Sequence, residues 1–345
     1  YVLELMRALP DVQFALATMG ALISTEQRRE AEELPNVALF TSSYALEWMD
    51  DPWADVDRAG DWLLEIAADF KPDLIHLNGY AHAALPWEQP VLAVAHSCVL
   101  SWWRAVKNDD LPSSLTEYQR RVSAGLAAAD LVIAPTRAML ETLRPNYNFF
   151  GRAEVIHNAR NPQLFTPAKK QSVIFAAGRF WDEAKNLAAL DAVAPHVPWR
   201  IEVAGDAAHP NGSAAMCKEV RPLGKLPADE LRDRLASAAI YALPARYEPF
   251  GLSALEAALS GCALVLGDIP SLREVWGDAA IFVVPDDHSQ LANALTGLIN
   301  DELRRNDFAE RASERALAFT PEKMADGYRA AYAHCMAQRK NEVAT

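Results

Sequence analysis

The sequence predicts an α/β fold of two doubly wound domains, and three observations predict it. Short apolar runs of strand length alternate with longer amphipathic stretches along the whole chain. The alternation occurs twice, on either side of a cluster of turn residues running from Asn158-Ala-Arg-Asn-Pro162 to Pro167. The chain has 345 residues, too many for one ordinary core. A first domain is therefore expected at 1–165, a second at 166–325, and a terminal helix and tail at 326–345.

In the first half the strand candidates are Gln13–Thr18, Val37–Phe40, Leu74–Leu77, Val91–Ala95 and Leu131–Ala134, with helices such as Ala59–Phe70 and Glu117–Ala129 between them. In the second half they are Val173–Ala177, Arg200–Ala204, Ile240–Leu243, Ala263–Leu266 and Ile281–Val284, again separated by helices. Pro321 is placed to open a last amphipathic helix, Glu322–Ala337, long enough to return to the first domain. The chain starts Tyr1-Val-Leu-Glu-Leu-Met, with apolar residues at helical spacing, so it opens inside a helix with no strand before it.

Hydrophobic residues make up 51% and charged residues 23%, the proportions of a globular protein. Acidic side chains outnumber basic ones 46 to 33, for a formal charge of -13, which argues against a nucleic-acid partner. Cys98, Cys217, Cys262 and Cys335 form no CxxC pair or His/Cys cluster, so neither a zinc site nor a disulfide framework is expected, and a cytoplasmic location fits. No apolar run approaches the roughly 20 residues that span a bilayer. A peripheral membrane contact is compatible with this, and oligomeric state is not legible.

No GxGxxG, Walker GxxxxGK[ST], HExxH or GxSxG occurs, which removes the common dehydrogenase, NTPase, zinc-protease and hydrolase fingerprints. Asp55-Val-Asp57 is a DxD string, but its position just ahead of Ala59–Phe70 reads as a helix start, so no metal is expected.

The informative stretch is Tyr247-Glu-Pro-Phe-Gly-Leu-Ser-Ala-Leu-Glu-Ala-Ala-Leu-Ser-Gly261, which follows the strand Ile240–Leu243 and so falls at the carboxyl edge of an open sheet. Pro249 and Gly251 mark a turn, Leu252–Leu259 a helix, and Gly261 its C-terminal cap. Backbone N–H groups of Phe250, Gly251, Leu252 and Ser253 are expected to face an anion such as phosphate, with Glu248 and Glu256 on either side. Two carboxylates beside a phosphate call for sugar hydroxyls that donate to them. Gly178-Arg-Phe-Trp-Asp-Glu-Ala-Lys-Asn186 follows another strand; Arg179 can fork onto phosphate oxygens and Lys185 can add a point charge. Asp182 and Glu183 read as solvent-facing loop residues, and Tyr80, Trp102 and Trp103 as core or as a stacking surface for sugar rings.

Taken together, EPFGLSALEAALSG and GRFWDEAKN resemble the donor site of the retaining glycosyltransferases of family 4, which have the GT-B fold: two Rossmann-like domains facing a central cleft, with a C-terminal helix crossing back. Val155-Ile-His-Asn158 resembles that family's VIxNG linker, Val203-Ala-Gly-Asp206 its strand-end glycine and Phe282-Val-Val-Pro-Asp286 a following loop. The resemblance implies that Glu248 approaches the donor hexose, Glu256 the ribose, and Arg179 and Lys185 the diphosphate, with Gly178 and Gly205 lining the donor site. It implies that His96, at the end of a first-domain strand, lies near the transferred sugar.

The implied reaction is metal-independent, retaining hexosyl transfer from a nucleoside diphosphate sugar to a glycan, lipid-linked or small-molecule hydroxyl, with no cofactor beyond that donor. The alternatives are a non-catalytic nucleotide-sugar-binding protein and a nucleotide-sugar epimerase of the same fold. The family starts with a strand and a glycine-rich loop ahead of a helix resembling YVLELMRAL, so those are expected upstream of Tyr1.

Overall fold

The structure, a computed structural model, describes residues 1–206 and 217–343. It separates into two compact units. The first comprises 1–104, 109–159 and the chain from Pro321 onward; the second comprises 160–320 with the short stretch 105–108.

The first unit runs α1 (Val2–Ala8), β1 (Phe14–Thr18), α2 (Thr25–Glu32), β2 (Val37–Thr41), α3 (Trp53–Phe70), β3 (Ile75–Leu77), β4 (Val91–Val94), α4 (Val99–Lys107), α5 (Thr116–Ala128), β5 (Leu131–Ala134), α6 (Arg137–Tyr147) and β6 (Ala153–Val155). Its strands form two parallel sheets, β1-β2 and β3-β4-β5-β6. β4 and β5 are apolar and buried along their length, as expected of strands covered on both faces. β6, only three residues with an exposed Glu154 at its middle, is too short for its pattern to announce it.

The second unit runs β7 (Gln171–Ala177), α7 (Leu187–Val193), β8 (Arg200–Ala204), β9 (Arg221–Gly224), α8 (Ala228–Ser237), β10 (Ala238–Leu243), α9 (Leu252–Leu259), β11 (Ala263–Gly267), α10 (Pro270–Trp276), β12 (Ile281–Val283), α11 (His288–Asn300) and α12 (Glu302–Ala316). Among the described residues its parallel sheet has the order β12-β11-β10-β7-β8-β9. The period of two sorts side chains cleanly. Phe175, Tyr241, Leu243, Leu264 and Leu266 pack with Leu255, Leu272 and Trp276 on one face. Ile174, Ala176, Ile240, Ala242 and Val265 pack with Leu190, Leu291 and Leu295 on the other. β9 carries Pro222 and is largely exposed, which fits its place at the sheet edge.

The last helix, α13 (Pro321–Val343), belongs to the first unit. Met324, Ala325, Tyr328 and Tyr332 pack with Leu5, Leu9, Leu92 and Ile133. Phe319, two residues before the helix, is instead buried in the second unit's core beside Phe250 and Trp276. The chain therefore changes unit between Thr320 and Pro321, ahead of the expected 325, and earlier between Ala159 and Arg160, ahead of the expected 165.

One sequence expectation is corrected here. The helix expected from Ala59 begins at Trp53, so Asp55 and Asp57 lie within its first turns instead of ahead of it. Both carboxylates are engaged by protein groups: Asp55 accepts the Ala45 N–H at 2.8 Å and pairs with Arg58, while Asp57 pairs with Arg121. Tyr80 is a core residue, 3% exposed, with its hydroxyl donating to the Ser97 carbonyl at 2.6 Å.

The packing of α5 generates a test. A methyl group at Gly125 would lie 1.9 Å from the Tyr80 carbonyl oxygen. Alanine favours a helix over glycine by about 0.5–1 kcal/mol, but forcing a methyl into backbone costs about 1–3 kcal/mol. The clash wins. Gly125→Ala is expected to lower the urea midpoint of the first unit, and a midpoint at or above that of the parent would contradict the close approach.

Candidate functional site

In the second unit, β8 and β9 lie to one side of β7, while β10, β11 and β12 lie to the other. The chain order thus reverses between β7 and β10, and a parallel sheet opens a crevice at the carboxyl ends of such a pair. The loop after β7 carries Gly178, Arg179 and Lys185; the loop after β10 carries Glu248, Phe250 and Gly251. Both loops that carry the candidate residues therefore leave from the two strands that flank the reversal.

Local chemistry shapes each loop. Asp182 is not the solvent residue the sequence suggested: at 8% exposed, it caps the turn by accepting the Ala184 N–H at 3.0 Å. Asn186 sits in the left-handed region at φ 56°, conformational space that asparagine tolerates. Its buried amide donates to the carbonyls of Pro244 (3.0 Å) and Pro285 (2.7 Å), tying the loop after β7 to those after β10 and β12. Arg246 adds a second brace, forking onto Asp286 Oδ1 at 2.9 and 2.7 Å and donating to the Glu183 carbonyl at 3.0 Å.

Gly178 and Gly205 meet across strand ends. A Cβ at Gly205, whose φ is +144°, would fall 1.8 Å from the Gly178 carbonyl oxygen. Close backbone approach is therefore reason enough for glycine at Gly205. Beneath the site, the buried Tyr241 donates to the Ala177 carbonyl at 3.1 Å, and its oxygen lies 2.7 Å from Ser253 Oγ. That links the end of β7 to the first turn of α9.

Lys185 and Glu248 come together as an ion pair, Nζ to Oε2 at 2.6 Å, with side chains 12% and 14% exposed. Burial pushes the Glu248 carboxyl up, but the Lys185 charge and hydrogen bond, with two backbone N–H groups, outweigh it and hold the pKa below the usual carboxylate value. Those two N–H groups correct an expectation. Phe250 and Gly251 do not present theirs to a ligand; they donate to Glu248 Oε1 at 3.4 and 2.9 Å. Leu252 and Ser253 begin α9 with no side-chain cap, so the anion-attracting end of the helix is carried by them. Ser271 Oγ fixes the Glu248 carbonyl at 2.5 Å.

Glu256, inside α9, has a partner the sequence did not single out. Arg160, the first residue of the second unit's main stretch 160–320, donates from Nε to Glu256 Oε1 at 2.5 Å. A lone basic residue in a turn-rich linker carries no pattern that would have found it. Arg179 joins neither pair. Its side chain is 59% exposed, 3.8 Å from Asp182 and over the Trp181 ring.

His96 lies in the first unit just past β4, its Nε2 2.9 Å from Asn78 Oδ1 and its ring edge-on to Tyr1. Burial, then the neighbouring His76, lowers its pKa to about 3, so the imidazole is neutral at physiological pH. Trp102 and Trp103 are half-buried in α4, with Trp103 Nε1 donating to the Asp110 carbonyl at 3.1 Å. Among the described residues no group of three or more His, Cys, Asp or Glu could hold a metal, and no helix is long and apolar enough to cross a membrane.

Comparison with known proteins matches residues 159–315 to the family described as Glycosyl transferases group 1, and residues 1–164 to Glycosyltransferase Family 4. A phosphatidyl-myo-inositol mannosyltransferase of Mycolicibacterium smegmatis is 27% identical over 240 residues, 66% of this chain and 61% of that protein. The chain thus spans about three fifths of that curated relative. Among solved structures, sucrose-phosphate synthase of Thermosynechococcus elongatus is similar with a TM-score of 0.79 at 18% identity, covering 98% of this chain and 92% of that one. Anabaena Alr3699/HepE in complex with UDP-glucose gives 0.74 at 17% identity, covering 98% and 94%. The fold is that of the GT-B glycosyltransferases.

The Lys185–Glu248 pair predicts a pH dependence. Because the folded Glu248 carboxyl titrates below its ordinary value of 4.5, its contribution to stability is complete above that value and is lost as pH falls through the lowered one. Melting curves of the parent should therefore drop more steeply below about pH 4.5 than those of Glu248→Gln. Lys185→Met, which strands a buried carboxylate, should cost about 3 kcal/mol near neutral pH. Parallel pH profiles for the parent and Glu248→Gln would contradict the pairing.

Proposed function

We propose, from the premise that this chain belongs to the group 1 glycosyl transferases of glycosyltransferase family 4, that it transfers a hexosyl group from a nucleoside diphosphate sugar to an acceptor hydroxyl, with retained anomeric configuration and without a metal. The observation that carries this reading is the convergence of Lys185, Glu248 and the amino end of α9 at the strand reversal between β7 and β10.

In this reading the diphosphate lies against Arg179, Lys185 and the N–H groups of Leu252 and Ser253. An ammonium has three N–H donors, so Lys185 can keep Glu248 with one and offer the others to phosphate oxygens. Glu248 then sits beside the donor hexose, where its charge favours the positive character that the ring gains as the glycosidic bond breaks. Negative charge on the departing diphosphate is stabilised by the cations and the helix end, with no metal in that role. Glu256 takes the ribose hydroxyls.

The direct test incubates the protein with UDP-, GDP- and ADP-hexoses and a panel of hydroxyl acceptors, reading diphosphate release and the anomeric configuration of the product by NMR, with and without EDTA. Product of retained configuration in EDTA is expected. An inverted product, or turnover that needs added Mn²⁺ or Mg²⁺, would overturn the corresponding part of the reading.

Two substitutions sharpen it. Arg179→Ala should weaken nucleoside diphosphate binding by about 1.5–3 kcal/mol, the loss of a charge-assisted hydrogen bond; unchanged affinity by calorimetry on folded protein would remove Arg179 from the site. The glutamates should separate kinetically. Glu256→Gln should mainly raise the donor KM, because ribose contacts are shared by substrate and transition state. Glu248→Gln should mainly lower kcat, by about 10²-fold or ~3 kcal/mol. The reverse pattern would mean that the donor lies the other way round.

A further inference from the structure

The Arg160–Glu256 pair is built unlike a self-sufficient structural ion pair. Arginine and carboxylate frequently close such a pair with two parallel hydrogen bonds. Here only Arg160 Nε engages, at 2.5 Å from Glu256 Oε1. Among the described residues, the one hydrogen bond between these side chains is that from Arg160 Nε, which leaves Glu256 Oε2 and the two terminal nitrogens of Arg160 open to other partners. Both side chains are largely buried, 22% and 15% exposed, yet their open atoms are not among the polar groups sealed from solvent, so they face outward from an otherwise covered pair. The guanidinium is carried by a fixed backbone: the Arg160 N–H donates to the Phe319 carbonyl at 3.3 Å, and the Phe319 ring packs edge-on against Phe250.

An unfilled acceptor beside unfilled donors is complementary to a hydroxyl group, which gives one hydrogen and accepts another. We infer that Arg160 is a positioning residue for the donor's ribose, holding the Glu256 carboxylate by one oxygen so that the other receives a ribose hydroxyl while the guanidinium donates back to that hydroxyl or its neighbour. The pair makes the site select ribonucleotides over 2′-deoxyribonucleotides. This rests on the reading of the second unit as the donor site and adds to it a residue outside both sequence motifs. The chemistry is a discrimination by unmet partners: a bound deoxyribose covers the carboxylate oxygen and guanidinium without satisfying them, and polar sites reject such analogues far more strongly than apolar pockets reject a missing methylene.

The test is calorimetric titration of the full chain with UDP, GDP and ADP, followed by the tightest of these against its 2′-deoxy counterpart, for the parent, Arg160→Met, Arg160→Lys, Glu256→Gln and the double variant Arg160→Met/Glu256→Gln. The parent should prefer the ribonucleotide by about ten-fold or more, the worth of one hydrogen bond to a charged group. Arg160→Met should weaken the ribonucleotide and collapse that preference to within about three-fold. Arg160→Lys, which keeps the charge, should recover part of both, and Arg160→Met should add little in the Glu256→Gln background.

Loss of affinity for both nucleotides by the same factor in Arg160→Met, with the preference intact, would make Arg160 a purely structural residue. Full retention of affinity and preference would overturn the inference as well. Either result leaves the donor-site reading standing. Failure of the parent to bind any of the three diphosphates would overturn that reading and this inference with it.

Discussion

A parallel sheet covered on both faces has room for few polar side chains except at its edges, and the site in the second unit follows from that constraint. β7, β10 and β11 supply apolar residues to both cores, and their polar neighbours begin where the strands end. Since the strand order reverses between β7 and β10, the loops leaving those two strands diverge, and the groups they carry converge on one crevice.

Convergence alone would leave the site loose, because loops are the mobile part of most folds. Here they are cross-braced from beneath. Asn186 binds the carbonyls of Pro244 and Pro285, Arg246 bridges Asp286 and Glu183, Ser271 holds the Glu248 backbone and Tyr241 joins β7 to α9. None of these side chains has a role in the proposed chemistry. Their effect is preorganisation, which reduces the reorganisation left for the moment when charge develops.

The electrostatics are arranged in pairs. Glu248 has Lys185 and two backbone N–H groups; Glu256 has Arg160. Each carboxylate thus faces a local cation in surroundings where an unpaired charge would be costly. Arg179 differs from both cations in being mostly exposed. In the proposed reading an arriving diphosphate meets Arg179 at an exposed position, whereas Lys185 is already held against Glu248.

The amino-acid sequence by itself determined the fold class, the doubling of the α/β pattern, the limits of α9 at Leu252 and Leu259, and the placement of Glu248, Lys185 and Arg179 on two loops at a sheet edge. These follow from periodicity and turn residues, which are local. Tertiary structure decided what depends on contacts distant in sequence. It spent the N–H groups of Phe250 and Gly251 on Glu248 instead of a ligand, turned Asp182 from a solvent residue into a buried cap, and joined β9 to the sheet despite Pro222. It also brought Arg160 to Glu256 across 96 positions of sequence. No spacing rule reaches that far, because a charge finds its partner through the path of the folded backbone, and that path is set by the packing of the two cores.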